Sequence, residues 1–214
     1  MTTHTARGTR LGALAIGAAG MLFALFPLLR PWADKSGLEG GLAEATGSPL
    51  WVAAHLAGAT AFILLSLGAL AVRDAHRGRP GGGAASLGLV FLGAGTGLTL
   101  LYFGAETFAL HALATASDAA PEALFDAVRD GAAQLTVFAL GLLLLAAGGI
   151  LLAVAIWRGG VLPRTSALLL AAMIALYLPQ FFLPAPGRIV HGVLLGIGAL
   201  WLAIALWRSA RAAH

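Results

Sequence analysis

Residues 132–157 read AAQLTVFALGLLLLAAGGILLAVAIW, and this stretch decides the fold. It runs for 26 residues without an Asp, Glu, Lys, Arg or His. A bilayer core is about 30 Å thick and an α-helix rises about 1.5 Å per residue, so roughly 20 apolar residues make one span. The stretch lacks strand-like alternation, and lipid offers no partner to unpaired backbone groups. It is therefore predicted to be a membrane-spanning helix.

The rest of the chain repeats this pattern. Hydrophobic residues make up 59% of the 214 residues and charged residues only 10%, whereas a soluble domain carries about 25% charge. This composition excludes a soluble fold, a disordered chain and a coiled coil. The apolar runs cover residues 11–29, 50–72, 87–106, 132–157, 161–182 and 187–207. We predict a single all-α domain over residues 1–214, an integral membrane bundle of six helices.

Arginine and lysine residues set the predicted orientation of this bundle. With six spans, nine of the thirteen lie on the side that holds both termini, and four lie on the other side. Cytoplasmic loops carry the excess of such residues, so both termini are predicted to be cytoplasmic, in a bacterial plasma (inner) membrane. The net charge of +4 is accordingly attributed to topology and lipid contact, and not to nucleic-acid binding. Cleavage of the first run as a signal peptide stays an alternative, although no clear cleavage site follows it.

Three local features refine the picture. Pro179 lies inside the fifth run, where a residue without an N–H group is expected to kink the helix. Residues 118–130 place Leu124 and Phe125 on one helical face, which predicts a short amphipathic helix on the membrane surface. His76 lies in a cytoplasmic turn and is expected to be solvated.

Polar side chains from five of the six spans fall at one depth, near the outer ends of the helices. Polar and ionisable residues inside a membrane are costly, so they are candidate functional groups. The layer comprises His55, Tyr102, Glu106, His111, Gln134, Tyr177, Gln180 and His191. His111 follows Glu106 by five residues and would be rotated from it by about 140° on a regular helix. The layer predicts a polar pocket that opens toward the outer face.

One hypothesis is that this pocket holds a metal or a haem. Imidazole and carboxylate groups ligate zinc, copper and iron, so His55, Glu106 and His191 form a candidate metal site, with His111 as a fourth candidate. Alternatively, His55 and His191 are candidate axial ligands of a b-type haem. The chain has no cysteine, which excludes disulfides, a thiol nucleophile, iron–sulfur clusters and covalently attached haem.

Other hypotheses need no metal. The same pocket suits a small amphiphilic ligand, with Tyr102, Gln134, Tyr177 and Gln180 as candidate contacts. Acid–base catalysis on a lipid or isoprenoid would use Glu106 as the acid and His55 as the base. A transporter and a purely structural accessory subunit stay open, although the halves show no convincing inverted repeat. The expected partners are membrane lipids and a small amphiphile.

Several residues carry a resemblance to a known group of proteins. The second run contains Trp51-x-x-x-His55-Leu56, the third ends at Glu106, and the segment 162–164, Leu-Pro-Arg, opens the fifth. With its richness in Ala, Gly and Arg, the chain resembles uncharacterised six-span multi-pass membrane proteins common in high-GC bacteria. The resemblance covers most of the chain. It implies a helical bundle in the plasma membrane and assigns no activity to any residue.

Overall fold

The computed structural model describes residues 3–32, 41–116 and 122–212, and these ranges contain helices and turns but no strand. Long helices dominate, as the apolar runs predict. In chain order the α-helices are α1 (Thr3–Leu29), α2 (Gly41–Gly47), α3 (Pro49–Ala75), α4 (Gly82–Gly104), α5 (Leu110–Ala116), α6 (Glu122–Arg129), α7 (Ala132–Gly159), α8 (Leu168–Ala175) and α9 (Ala185–Ala212). A π-helical segment, Ala105–Ala109, joins α4 to α5.

Five helices of the described chain are long and apolar enough to cross a membrane. They cover Arg7–Leu29, Pro49–Ala75, Gly82–Thr115, Ala123–Gly159 and Ala185–Ala212. The third continues well past the predicted end of its run at residue 106, because α4, the π segment and α5 follow one another without a break. The all-helical membrane bundle is therefore supported, with five long apolar helices.

The fifth apolar run differs from the single kinked helix that we predicted. It contains a 3₁₀ turn at Arg164–Ala167, the eight-residue α8, and a second 3₁₀ turn at Pro179–Phe182. Eight α-helical residues extend only about 12 Å. Pro179 has no N–H group to donate to the preceding turn, so the regular helix ends before it and does not bend through it.

Helix α1 packs against both α3 and α9, and α4 packs against α7. Glycine allows α1 and α9 to approach closely, because a Cβ atom added to Gly196 would lie 2.6 Å from the Gly20 carbonyl oxygen. The contact between α4 and α7 is similar, since a Cβ atom on Gly95 would lie 2.7 Å from the Gly141 oxygen. In a membrane, such contacts between backbones replace the hydrophobic effect as a source of packing energy.

The two ends of the bundle differ in charge. At one end the start of α1 meets the end of α9, where the Arg10 guanidinium lies 6.0 Å from the centre of the Trp207 ring. Helices α3 and α7 also end here, because a Cβ atom on Gly159 would touch the His76 ring. We call this the basic end and the opposite one the site end. Arg30, the last residue before Pro31, is at the site end.

The structure contradicts the prediction that His76 is solvated. It is fully buried at the basic end, and its Nδ1 lies 2.8 Å from the Val72 carbonyl oxygen. The ring packs against Gly159 of α7, a contact between distant parts of the chain that a solvated turn would not make.

The amphipathic helix is also placed differently. Helix α6 covers Glu122–Arg129, and residues 118–121 of the predicted range lie outside the described residues. Phe125 is 2% exposed and packs in a cluster with Trp51 and Leu110. The apolar face of α6 therefore covers the protein at the site end, while Leu124 remains exposed.

Candidate functional site

A buried His–Glu pair lies at the site end. His55 comes from α3 and Glu106 from the π-helical segment, and their Nε2 and Oε2 atoms are 3.0 Å apart. Only 1% of His55 and 7% of Glu106 are exposed. The structure thus brings together two residues that the sequence predicted to meet from different spans.

The hydrogen bonds of His55 define where its proton sits. Its Nδ1 lies 2.8 Å from the Trp51 carbonyl oxygen. A carbonyl oxygen can only accept, so Nδ1 must carry a hydrogen and donate it. The contact between Nε2 of His55 and the Glu106 carboxyl group then holds one proton, on the imidazole or on the carboxyl oxygen. The pair is therefore built to share a single proton between two helical segments.

The π-helical segment positions Glu106. The Trp51 indole Nε1 donates to the Glu106 carbonyl oxygen at 2.7 Å, which fixes the backbone against α3. A π turn contains one residue more than an α turn and is common at functional sites. The extra residue also shifts the helical phase of the residues that follow.

Two more side chains contact the Glu106 carboxyl group. The Arg129 Nε, from the end of α6, donates to Oε1 at 2.9 Å. The Tyr102 hydroxyl donates to the same oxygen at a longer 3.4 Å, and its ring stacks on Phe138 at 4.1 Å between centroids. The carboxylate is thus held by an imidazole, a guanidinium and a phenol.

Aromatic rings surround the imidazole of His55. The ring centroid of Trp51 lies 4.3 Å from that of His55, that of Phe26 lies 5.3 Å away and that of Phe103 lies 5.7 Å away. Electrostatic interactions are stronger in such a low-dielectric environment than in water.

The carboxyl group and the imidazole line a cavity of about 230 Å³ at the site end. Its walls are largely apolar, with Phe26, Phe103, Phe138, Leu178 and Phe181 among them. We call it the site cavity.

Arginines form the most distinctive part of the site cavity. Arg30, Arg129 and Arg188 all line it, together with two carboxylates, Glu106 and Asp130. With the one proton that His55 and Glu106 share, the formal charge of these lining residues is three plus one minus two, or +2. From the sequence, the three arginines were assigned to topology alone, and their place in the site was not predicted.

Two of these arginines are buried among aromatic rings. Arg30 is 5% exposed and its guanidinium lies 4.5 Å and 4.6 Å from the ring centres of Trp32 and Trp51. Arg188 is 6% exposed and lies 4.9 Å from the Trp32 ring centre and 4.6 Å from that of Phe181. Cation–π contacts of this kind hold a guanidinium in a fixed position.

Other predicted site residues lie elsewhere. His191 donates from Nε2 to the Met173 carbonyl oxygen, 2.8 Å away, and lines a second, much smaller cavity. Tyr177 and Gln180 line that smaller cavity too, and the Gln180 amide oxygen accepts a hydrogen bond from Arg188 Nε at 3.2 Å. Arg188 lines both cavities and links the predicted groups.

Two other predicted residues, His111 and Gln134, line neither of these cavities. His111 Nδ1 lies 2.7 Å from the Thr46 carbonyl oxygen, so this imidazole connects α5 to α2. Gln134 donates to the Ala127 carbonyl oxygen at 3.1 Å and joins α7 to α6.

The described residues contain no group of three or more His, Asp or Glu side chains that could hold a metal ion. His55 and Glu106 are hydrogen-bonded to one another, and His191 uses its Nε2 on a backbone carbonyl. What the site cavity offers is a set of guanidinium donors, one buried proton and apolar walls.

Comparisons with known proteins identify no relative of the chain. No protein-family model matches the chain, and no curated protein or solved structure is significantly similar to it.

Proposed function

We propose that this chain is a plasma-membrane protein whose site cavity binds a small amphiphile with an anionic headgroup. The observation that carries the proposal is the presence of Arg30, Arg129 and Arg188 around one cavity with largely apolar walls. Guanidinium groups bind carboxylate and phosphate through paired N–H donors. The apolar walls suit the first carbons of an acyl or isoprenoid tail.

The size and placement of the site cavity agree with this ligand class. Drug-sized ligands occupy pockets of about 300–1,000 Å³, so about 230 Å³ suits a headgroup with the start of a tail. Phe182, which lines the cavity, is 89% exposed at the bundle surface. A tail leaving past this residue would enter surrounding lipid, and the headgroup would stay with the arginines.

The proposed topology has six crossings, with both termini cytoplasmic and the site cavity in the outer leaflet. Helix α7 ends at the basic end and α9 begins at the site end, so residues 160–184 must connect the two. This supports a crossing by the broken fifth segment even though no single helix spans it. The excess of arginine in the segments predicted to be cytoplasmic favours that orientation.

Binding of an alkyl phosphate tests the proposal. The purified chain in an uncharged maltoside detergent is titrated with hexadecyl phosphate and with hexadecanol, which differ only in the headgroup. We expect the phosphate to bind at least about tenfold more tightly, because a charge-assisted hydrogen bond contributes about 1.5 kcal/mol or more. Equal affinities for the two probes would refute the proposal without any variant.

Variants locate the binding. Arg188→Gln should remove most of the preference for hexadecyl phosphate, whereas Arg158→Gln, an equal charge change at an exposed position of the basic end, should retain it. Loss of the preference in both variants would show that net charge, and not the site cavity, attracts the probe.

A second candidate function is acid–base catalysis on the bound amphiphile by the His55–Glu106 pair, which would donate and take back the proton that the two side chains share. The single proton held between them, 3.0 Å apart, favours it. Lipid extracts of membranes containing the wild type or Glu106→Gln are compared by mass spectrometry. A lipid that accumulates only with the variant supports catalysis, and identical extracts refute it.

Neither a metal nor a haem is part of this proposal. Their ligand sets require His191 beside His55, and the structure puts His191 at a different cavity, with its Nε2 bonded to Met173.

A further inference from the structure

A long crevice opens between α1 and α3 at the basic end. Its volume is about 730 Å³, the largest of the cavities described here. Leu11, Gly12 and Ala15 line it from α1, and Leu67 and Leu70 line it from α3. Leu11 is 58% exposed, Leu67 54% and Leu70 39%, so an apolar channel faces the surrounding lipid.

The floor of this crevice is formed by the close crossing of α1 and α3. A Cβ atom added to Gly12 would overlap the Ala71 Cβ, so the two backbones approach closely. Larger side chains stand on either side of this crossing and leave a groove between them. Its lining on this stretch is apolar, as an acyl chain requires.

Arginines gather where the crevice reaches the basic end. Arg77 and Arg79 line its mouth together with Asp74. The same two arginines, with Arg73, also line an adjoining cavity of about 430 Å³. Asp74 is engaged by Arg73, with Oδ1 and Nη1 3.0 Å apart. Three guanidiniums against one paired carboxylate leave a net positive mouth that complements an anionic headgroup.

We propose that this crevice is a binding site for an anionic phospholipid of the leaflet at the basic end. One acyl chain lies in the groove between α1 and α3, and the headgroup phosphate is bound by Arg77 and Arg79. This site is at the opposite end of the bundle from the site cavity and does not depend on the function proposed there. Its ligand is a membrane lipid recognised by headgroup charge and chain together.

Native mass spectrometry tests the site on the full chain released from maltoside micelles. The protein is titrated with phosphatidylglycerol and with phosphatidylcholine of the same acyl chains. We expect one tightly bound phosphatidylglycerol, with binding weakened about 30-fold in the double variant Arg77→Gln/Arg79→Gln, since each surface arginine contributes about fivefold. The double variant Arg158→Gln/Arg208→Gln, an equal charge change at exposed positions of other helices, should retain full binding.

A second pair of variants tests whether the groove binds the acyl chain of the lipid. Ala15→Phe fills the groove and should abolish the bound phosphatidylglycerol, while Leu14→Phe, at a 57% exposed neighbour outside the groove, should not. Equal binding of phosphatidylcholine would overturn the proposal, and so would unchanged binding to Ala15→Phe. Displacement of the lipid by millimolar inorganic phosphate would also overturn it, since a bare anion site needs no acyl chain.

Discussion

Removal of the Glu106 side chain is the most informative perturbation of the site cavity. The carboxylate makes two close charge-assisted hydrogen bonds, to His55 at 3.0 Å and to Arg129 at 2.9 Å. Each such bond contributes about 1.5–3 kcal/mol. Truncation also leaves buried donors without their partner, so we expect Glu106→Ala to lower the free energy of unfolding by about 3 kcal/mol.

Glu106→Gln should be far milder, and the structure says why. Because Nδ1 of His55 donates to the Trp51 carbonyl oxygen, its Nε2 can accept a hydrogen from the glutamine amide. The amide oxygen can still accept from Arg129. We expect a loss of about 1 kcal/mol, since both contacts survive as weaker hydrogen bonds.

The assay is reversible unfolding of the purified protein in mixed detergent micelles, followed by tryptophan fluorescence. Asp126→Ala is the matched control, because Asp126 is an exposed carboxylate on α6, and its loss should change stability by less than about 0.5 kcal/mol. A Glu106→Ala variant as stable as the wild type would refute the stabilising role of these contacts. So would a Glu106→Gln variant that loses as much stability as Glu106→Ala.

The remaining predictions concern helix packing. Gly196→Ala should destabilise the bundle by about 2 kcal/mol, because the new methyl group would lie 2.6 Å from the Gly20 oxygen. Gly93→Ala, where nothing lies within 4 Å, should be neutral or stabilise by up to about 1 kcal/mol, so equal effects of the two would contradict the packing. Phe125→Ala should cost about 3 kcal/mol and Leu124→Ala under about 1, measured by the same unfolding assay, because only Phe125 is buried. The reverse order would show that α6 faces lipid.

Much of the helical architecture followed from hydropathy, because a lipid-facing helix needs an uninterrupted apolar run. The fifth run shows the limit of that argument. Apolar composition predicts burial but not regularity, and Pro179 together with the 3₁₀ turn at residues 164–167 leaves only eight residues in a regular α-helix. Which end of an interrupted segment remains helical depends on its contacts with α7 and α9.

The pairing of His55 with Glu106 was predictable, because matched depth on neighbouring spans brings polar groups together. The exact partners were not. The π turn at Ala105–Ala109 changes the helical phase after Glu106, and no residue type in that segment signals it. His76 was wrongly expected to be solvated, since its burial depends on Gly159, far away in the sequence.

The arginines of the site cavity were overlooked for a different reason. Counting them for topology places each in a loop or at a helix end, where long side chains usually reach water. One feature of the sequence does indicate Arg188 as a site residue. It precedes His191 by three residues and therefore lies on the same helical face. Arg30 had Trp32 and Trp51 as candidate stacking partners, but only the fold brings Trp51 near.

Whether the site cavity holds an anionic headgroup is tested most directly by a crystal structure of the protein bound to a bromine-labelled alkyl phosphate. We predict phosphate oxygens about 2.7–3.2 Å from guanidinium nitrogens of Arg30, Arg129 or Arg188, with the bromine signal outside the cavity near Phe182. A saturated complex whose phosphate lies at the basic end or in the detergent belt, with the site cavity empty, would contradict it.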